Sequence, residues 1–241
     1  MNDVVLTEKN GFFSNLFTGN MLKLIALVSM TVDHIGFYFF PENMIFRYVG
    51  RVAFPLFAYF IAEGCKYTKN RKKHLVTMTI VGVICQVVYT LATGSLYMNI
   101  FITFVLSVSL IYLFDNAKKS SSKVKMLLAL AFLVVVVFVC EFLPGIIAST
   151  GFNIDYGIIG VMLPVLIYNM KTKRGKLIVT AGALLLLTLT NGLWHIFNLC
   201  SLPLLYFYNG KKGKAKLKYL FYIYYPLHLV IIFLINLFIV K

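Results

Sequence analysis

Charged side chains are scarce: Asp, Glu, Lys and Arg together make up 13% of the 241 residues, about half of the roughly 25% usual in a soluble domain. With 60% hydrophobic residues and a mean hydropathy of +0.86, that shortage excludes a soluble globule. Cysteine is equally sparse. Cys65, Cys85, Cys140 and Cys200 stand singly in apolar segments, with neither the paired spacing of a zinc site nor the density of a disulfide framework, and they read as small buried hydrophobes. No metal site is expected. Strict apolar–polar alternation is also missing, which argues against a β-barrel, whereas helices satisfy every backbone group within one segment. There is no convincing internal repeat and no low-complexity region.

Long apolar runs are what the chain does have. At about 20 residues per crossing plus short turns, 241 residues accommodate nine to ten spans and leave nothing for a separate soluble domain. The first apolar stretch begins near Met21 and lacks a small-residue cleavage site, so it is expected to remain in the membrane as the first span. The net charge of +15 would suggest nucleic acid if the cations were clustered on one surface. Instead they separate the apolar runs. Linkers 66–73, 118–125, 171–176 and 211–218, with Lys9 and Lys23, hold 20 of the 23 Lys and Arg, leaving Arg47, Arg51 and Lys241. This bias puts the N-terminus and the four linkers on the cytoplasmic side of a plasma membrane.

Each stretch between linkers must then cross an even number of times. Residues 24–65, 74–117, 126–170 and 177–210 become helical hairpins, turned at 41–43, at Thr93-Gly94-Ser95, at 144–155 and at Asn191-Gly192, where polar, Gly- and Pro-bearing breaks fall. The expected fold is an all-α polytopic membrane protein of one integral-membrane domain over residues 1–241. It has about nine spans, near 21–40, 44–64, 75–92, 96–114, 125–143, 156–170, 177–191, 194–208 and 219–240, and the last carries the C-terminus outside. The halves of the fourth hairpin are about 15 residues long, short of the roughly 17 usually needed to cross. Neighbours must shield them, or they do not cross completely.

Ionisable residues inside the spans carry the functional signal, because an Asp, Lys or Arg at a helix centre costs on the order of 3 kcal/mol and so faces a partner or water. Asp33 and His34 lie in the first span, Arg51 in the second, Glu63 near its cytoplasmic end, Asp155 at the start of the sixth and His228 in the ninth. Glu141 and His195 have no motif around them. His34 and Arg51 each lie about 10 Å below the outer end of the first hairpin, at 1.5 Å per residue, which makes them candidates to meet. Arg47, four residues before Arg51, shares its face and extends a polar stripe outward. Lys23 precedes His34 by 11 residues, so the two share one helix face about 16 Å apart, with Lys23 at the cytoplasmic mouth.

A basic residue, ten residues and then His resembles the pattern of the transmembrane acyltransferases. More closely, Leu22-Lys23-Leu24-Ile25-Ala26, Asp33-His34-Ile35-Gly36 and Arg47-Tyr48-Val49-Gly50-Arg51-Val52-Ala53-Phe54-Pro55 resemble the TraX family, conjugal-transfer proteins whose founding member N-acetylates pilin. Ala62-Glu63-Gly64, Tyr67-Thr68-Lys69-Asn70-Arg71, Asp155-Tyr156-Gly157, Tyr208-Asn209-Gly210-Lys211-Lys212-Gly213 and Tyr224-Tyr225-Pro226-Leu227-His228 continue the likeness over most of the chain. The resemblance implies an acyltransferase of a bacterial plasma membrane. It would move an acetyl group from cytoplasmic acetyl-CoA, or another acyl-CoA, to an amine or hydroxyl on the outer side, such as a protein N-terminus or a surface glycan.

Acyl transfer needs a base, and His34, with an ordinary pKa near 6.5, is the candidate. Asp33 is its sequence neighbour, but adjacent helical residues point about 100° apart, so Asp33 is free to pair with Arg51 instead. Asp33, His34 and Arg51 form the expected catalytic set. Lys23, Lys69 and Arg71 are the expected ligands for the CoA phosphates, and Arg47, Glu63, Asp155, Tyr156 and His228 the expected substrate contacts. Each has a plainer reading: an ion-pair network that fixes packing, a snorkelling anchor at Lys23, a solvated Glu63, a helix cap at Asp155-Tyr156, an interfacial His228. The basic linkers would then act on topology and on anionic membrane lipids. Two other function classes stay open, a proton-coupled transporter or channel built on Asp33, His34 and Arg51, and a scaffold without chemistry. Nucleic acid is not an expected partner.

Overall fold

The computed structural model describes residues 16–214 and 218–239; Lys9, Lys216 and Lys241 of the basic set, and Val240 of the ninth span, lie outside the described residues. The fold is all-α. The helices are α1 (Gly19–Phe39), α2 (Met44–Gly50), α3 (Ala53–Tyr67), α4 (Arg71–Thr93), α5 (Ile100–Ser120), α6 (Lys123–Val137), α7 (Leu143–Ile146), α8 (Gly157–Asn169), α9 (Lys173–Asn191), α10 (Ser201–Tyr206) and α11 (Lys218–Ile239). Side-chain oxygens of Thr18, Asn43, Asn70, Asn99, Ser122 and Thr172 cap α1, α2, α4, α5, α6 and α9. They satisfy backbone donors that lipid cannot.

Among the described residues these helices follow one another as nine helical segments, called passes below by their order in the chain. Five stretches are long and apolar enough to cross a membrane: Gly19–Phe39, Met44–Tyr67, Arg71–Thr93, Ile100–Ser120 and Lys123–Ile146. Gly157–Asn169, Leu193–Tyr206 and Leu220–Asn236 are apolar but shorter. Apolar side chains turned outward fit a lipid surround, as on α6, where Val124, Leu127, Leu128, Val134 and Val135 are all exposed. Inside, Leu56 of α3, Val108 of α5, Leu163 of α8 and Leu184 of α9 are fully buried. Polar contacts join the passes where apolar burial drives little: Ser107 donates to the Val161 carbonyl at 2.7 Å, Thr103 to the Asp155 carbonyl at 2.8 Å, and Asn99 to the Gly82 carbonyl at 3.0 Å.

Residue pairings give the directions. Lys23 lies against Phe221, Thr31 against Tyr224 and His34 against His228, so α1 and α11 run parallel. Ser29 meets Val49, and Lys23 meets Phe60, so α2 and α3 return antiparallel to α1. The basic linkers converge at one end. There Arg71 pairs with Asp115, Lys118 donates to Asn169, Lys173 donates to the Tyr208 carbonyl, and Phe17 forms a bridge with Tyr208.

Three departures from regular helix shape the other end. The second pass breaks between α2 and α3, because Pro55 has no N–H for the Arg51 carbonyl and its ring would collide with it; at the break Ser29 donates to the Val49 carbonyl at 2.6 Å. Pro144 acts likewise on the fifth pass, which widens to a π-helix over Phe138–Phe142. The eighth pass begins as a 3₁₀ helix, Leu193–Cys200, whose rise of about 2.0 Å per residue stretches a short segment. The third turn region, expected as one loop over 144–155, contains a two-residue strand, Asn153–Ile154, paired in parallel with Tyr97–Met98. Period-based reading cannot register a pairing this short.

Candidate functional site

Asp33, on the face of α1 turned toward α2, is the centre of one cluster. Its Oδ2 accepts from Arg47 Nη1 at 2.8 Å and its Oδ1 from Arg51 Nη2 at 2.9 Å. The approach depends on Gly50: a Cβ there would stand 2.3 Å from the Asp33 carboxylate oxygen. Arg51 also donates from Nε to the Arg47 carbonyl at 3.3 Å and from Nη1 to the Tyr156 hydroxyl at 3.1 Å. Its guanidinium lies 4.6 Å over Trp194, the one tryptophan of the chain, and Arg47 shares that ring at 5.7 Å. The face of Tyr156 stacks on Phe54 at 3.8 Å, and its ring meets His195 edge-on at 5.8 Å.

Asp155 sits beside this cluster in the strand-to-helix connection, where its carboxylate accepts from the Tyr97 hydroxyl at 2.9 Å. Burial raises its pKa to about 6, against the opposing pull of the Tyr97 bond and of Arg51.

His34 points to the other side of α1, toward α11. Its Nδ1 lies 2.8 Å from Nε2 of His228, whose Nδ1 is 3.0 Å from the Tyr224 carbonyl. A carbonyl only accepts, so His228 Nδ1 carries the hydrogen, His228 Nε2 is the acceptor, and His34 donates from Nδ1. That leaves a lone pair on His34 Nε2, which has no partner among the described residues. The Tyr224 hydroxyl bonds Thr31 at 2.7 Å and its ring stacks on His228 at 5.3 Å. A groove of about 320 Å³ between α1 and α11, walled by Ile35, Leu227, Ile231 and Ile235, reaches His228.

The structure therefore gathers Asp33, Arg47, Arg51, Tyr156 and Asp155 on one side of α1, and His34 with His228 on the other. The remaining candidates lie at the basic end. Lys23 is wedged between the rings of Phe60 and Phe221, at 5.0 and 5.6 Å. Residues 211 and 212 lie beside it, where the Gly19 and Asn20 amides donate to the Lys211 and Lys212 carbonyls at 2.8 and 2.9 Å. Glu63 forms a mostly buried ion pair with Lys176, away from the Asp33 cluster. Lys69 is exposed, and Arg71 is engaged by Asp115 and by the Tyr112 ring. Trp194, Tyr97 and Tyr224 belong to the site without having stood out in sequence, and His195 had only its presence in a span to mark it. Glu141 acquires a structural role: its Oε1 accepts from the Ile158 amide at 3.1 Å and caps α8.

No solved structure matches the chain. Among curated proteins it is 26% identical to the "Probable fimbrial assembly protein FimC, serogroup H1" of Dichelobacter nodosus, over 90% of this chain and 94% of that one. It is 37% identical to an uncharacterized protein of Rickettsia prowazekii over 41% of this chain and 38% of the relative. The profile described as TraX protein matches residues 18–236, a span that contains the Asp33 cluster, both dyad histidines and the basic end, and the chain belongs to the TraX family.

Proposed function

We propose that the protein is an acyltransferase that takes an acetyl group, or another acyl group, from acyl-CoA at the cytoplasmic face and delivers it to an acceptor at the outer end of the bundle. The observation that carries this reading is the oriented histidine pair. The Tyr224 carbonyl fixes the tautomer of His228, His228 fixes that of His34, and His34 Nε2 is left as the base. In that role it removes the proton from the acceptor amine or hydroxyl as the nucleophile attacks the thioester carbonyl. The C–S bond then breaks, and the departing CoA sulfur takes the proton back from the His34 imidazolium. His228 acts through His34 and is a positioning residue.

CoA brings phosphates, which need cations at the basic end. Lys23, held between Phe60 and Phe221 beside residues 211 and 212, fits that need better than Arg71, which Asp115 already neutralises. Lys69 is exposed and would reach CoA only outside the bundle. From Lys23 to His34 the helix rises about 16 Å, a distance for the pantetheine arm to span. Arg47 and Asp155 flank the outer cluster as contacts for the acceptor, whereas Glu63, paired with Lys176, serves the architecture of the basic end. Membrane lipids bound by the basic linkers and an acceptor carried on a protein N-terminus or a glycan complete the proposed partners, in a bacterial plasma membrane with the N-terminus cytoplasmic.

The test is acetyl-CoA consumption by detergent-purified protein, read as free CoA thiol, with and without added amine and hydroxyl acceptors. The parent should release thiol, and His34→Ala should lose roughly 10²–10⁴-fold while still binding acetyl-CoA. A parent that neither binds nor consumes acetyl-CoA overturns the reading in favour of transport through the same buried groups.

A further inference from the structure

The Asp33 cluster holds more donors than acceptors. A guanidinium carries five N–H donors and no acceptor. Arg51 uses three of them, on Asp33, the Arg47 carbonyl and the Tyr156 hydroxyl, and Arg47 uses one, on Asp33. Two N–H groups of Arg51 and four of Arg47 are therefore without an acceptor among the described residues. The Tyr156 oxygen accepts from Arg51, so its own hydrogen is unclaimed there too. His195, whose ring meets that of Tyr156 edge-on at 5.8 Å, adds another. The Asn198 amide nitrogen donates to its Nδ1 at 3.2 Å, which puts the ring hydrogen on Nε2, again with no acceptor among the described residues.

Charge is unbalanced in the same sense. One carboxylate, Asp33, faces two guanidiniums, while Asp155, the other carboxyl whose charge Arg51 feels, bonds the Tyr97 hydroxyl instead. The Arg51 side chain is only 6% exposed, where an uncompensated charge is costly. A network that served packing alone would match its charges, and this one carries a surplus cation. Glycines keep its parts in place. Gly50 admits Asp33, and at Gly192, with φ of 112°, a Cβ would stand 2.9 Å from the indole nitrogen of Trp194, the ring that packs on both guanidiniums. Arg47 offers the way in, its side chain 21% exposed between the rings of Phe37 and Trp194 at 5.3 and 5.7 Å.

We propose that Arg47 and Arg51, packed on Trp194, form a binding site for a singly charged oxyanion, a carboxylate or a phosphodiester. The site lies on the face of α1 turned away from His34, and it stands or falls independently of acyl transfer. One bound negative charge completes the balance, since Asp33 and the ligand together then match two guanidiniums. A ligand that only accepts is what a surplus of N–H and O–H donors calls for. Guanidinium forks suit planar and tetrahedral oxyanions through paired N–H···O bonds, and the free edge of Arg47 meets the ligand first. Two sources present this chemistry: a carboxylate on a soluble molecule that reaches this end of the bundle, and the phosphodiester of a lipid headgroup in the surrounding bilayer.

The test titrates sodium acetate into the full-length protein in nonionic detergent and reads the emission of Trp194, the one tryptophan of the chain, with sodium chloride at equal ionic strength as the control. The parent should give a saturable change with acetate, and a rise in Tm that chloride does not produce. Arg47→Gln leaves the Arg51–Asp33 pair in place and should weaken acetate binding by about tenfold or more, the worth of one charge-assisted bond. Arg47→Lys restores the charge without the fork and should recover only part of that affinity. Bilayer discs of phosphatidylglycerol separate the two sources. The acetate response should vanish in them if a lipid phosphodiester is the natural occupant and persist if the occupant is a soluble carboxylate, and either result supports the site. A parent whose emission and Tm respond to acetate no more than to chloride overturns the proposal, as does an acetate affinity that Arg47→Gln leaves unchanged. Both readings hold whether or not the protein consumes acetyl-CoA, so failure here and failure of the acyltransferase reading are told apart.

Discussion

Replacing Gly50 by alanine puts a methyl group where Asp33 already sits. The new Cβ would lie 2.3 Å from the Asp33 Cβ and Oδ1 and 2.6 Å from its Cγ, whereas ordinary contact begins at 3.4 Å. Asp33 must retreat by about 1 Å, enough to carry its bonds to Arg47 and Arg51 from 2.8 and 2.9 Å past hydrogen-bonding range. Overpacking costs about 1–3 kcal/mol, and the lost charge-assisted bonds add about 1.5–3 kcal/mol. Their sum, near 4 kcal/mol, corresponds to a fall of about 10 °C in Tm for a chain of this size. The assay is thermal unfolding in detergent followed through Trp194, which stacks on both arginines and should change emission even in the folded variant. Gly182→Ala is the control: nothing lies within 4 Å of its added Cβ, and a helix interior gains up to about 1 kcal/mol from alanine. If Gly50→Ala unfolds at the parent temperature with unchanged emission, the account of Asp33 as a clamped pivot between α1 and α2 is wrong.

Arg51→Ala leaves Asp33 with one partner and Tyr156 with none, so thermal unfolding should show a loss of about 3 kcal/mol, together with loss of acyl transfer. Asp155 binds its proton more tightly in the folded chain, with a pKa raised to about 6, than in the unfolded chain, where its carboxyl keeps the ordinary value of 3.8. The parent therefore gains stability as pH falls through that window, and the Tm of the parent minus that of Asp155→Asn should rise on going from pH 7 to pH 5; a constant or falling value refutes it. Lys23→Gln and Lys23→Glu should weaken CoA binding, measured against dephospho-CoA on the parent, and unchanged affinity in both would leave Lys23 an anchor alone. Single cysteines in 120–122 or 210–213 should resist an impermeant thiol reagent applied from outside, and labelling there would reverse the orientation.

The hairpin rhythm was legible because charge and hydropathy along the chain are one-dimensional signals, and linkers 66–73, 118–125 and 171–176 do fall at one end of the bundle. The Asp33–Arg51 pairing was legible from helix geometry, since residues 33 and 34 must face different neighbours. What joined His34 to His228 was not, because nearly the whole chain separates α1 from α11 and only the parallel packing of first and last passes closes the gap. Trp194 was hidden for another reason: it lies on a 3₁₀ turn, where 3.6-residue spacing assigns no face. Arg71 and Glu63 show the opposite failure. Their charge suggested ligands, and the partners that occupy them, Asp115 of α5 and Lys176 of α9, come from other helices.

The parallel seam between α1 and α11 has a consequence for biosynthesis. The chain enters the bilayer from its N-terminus, so His34 is delivered early and waits beside an open flank until residue 228 has been made. Through that interval its Nδ1 has no acceptor, and the first turn of α1 lacks the Lys211 and Lys212 carbonyls that later cover it. A ribosome stalled before α11 would therefore hold most of the bundle in place with its histidine chemistry incomplete. The final helix is the latch that completes the histidine pair, and on the proposed acyl-transfer reading a nascent fragment would lack its oriented base.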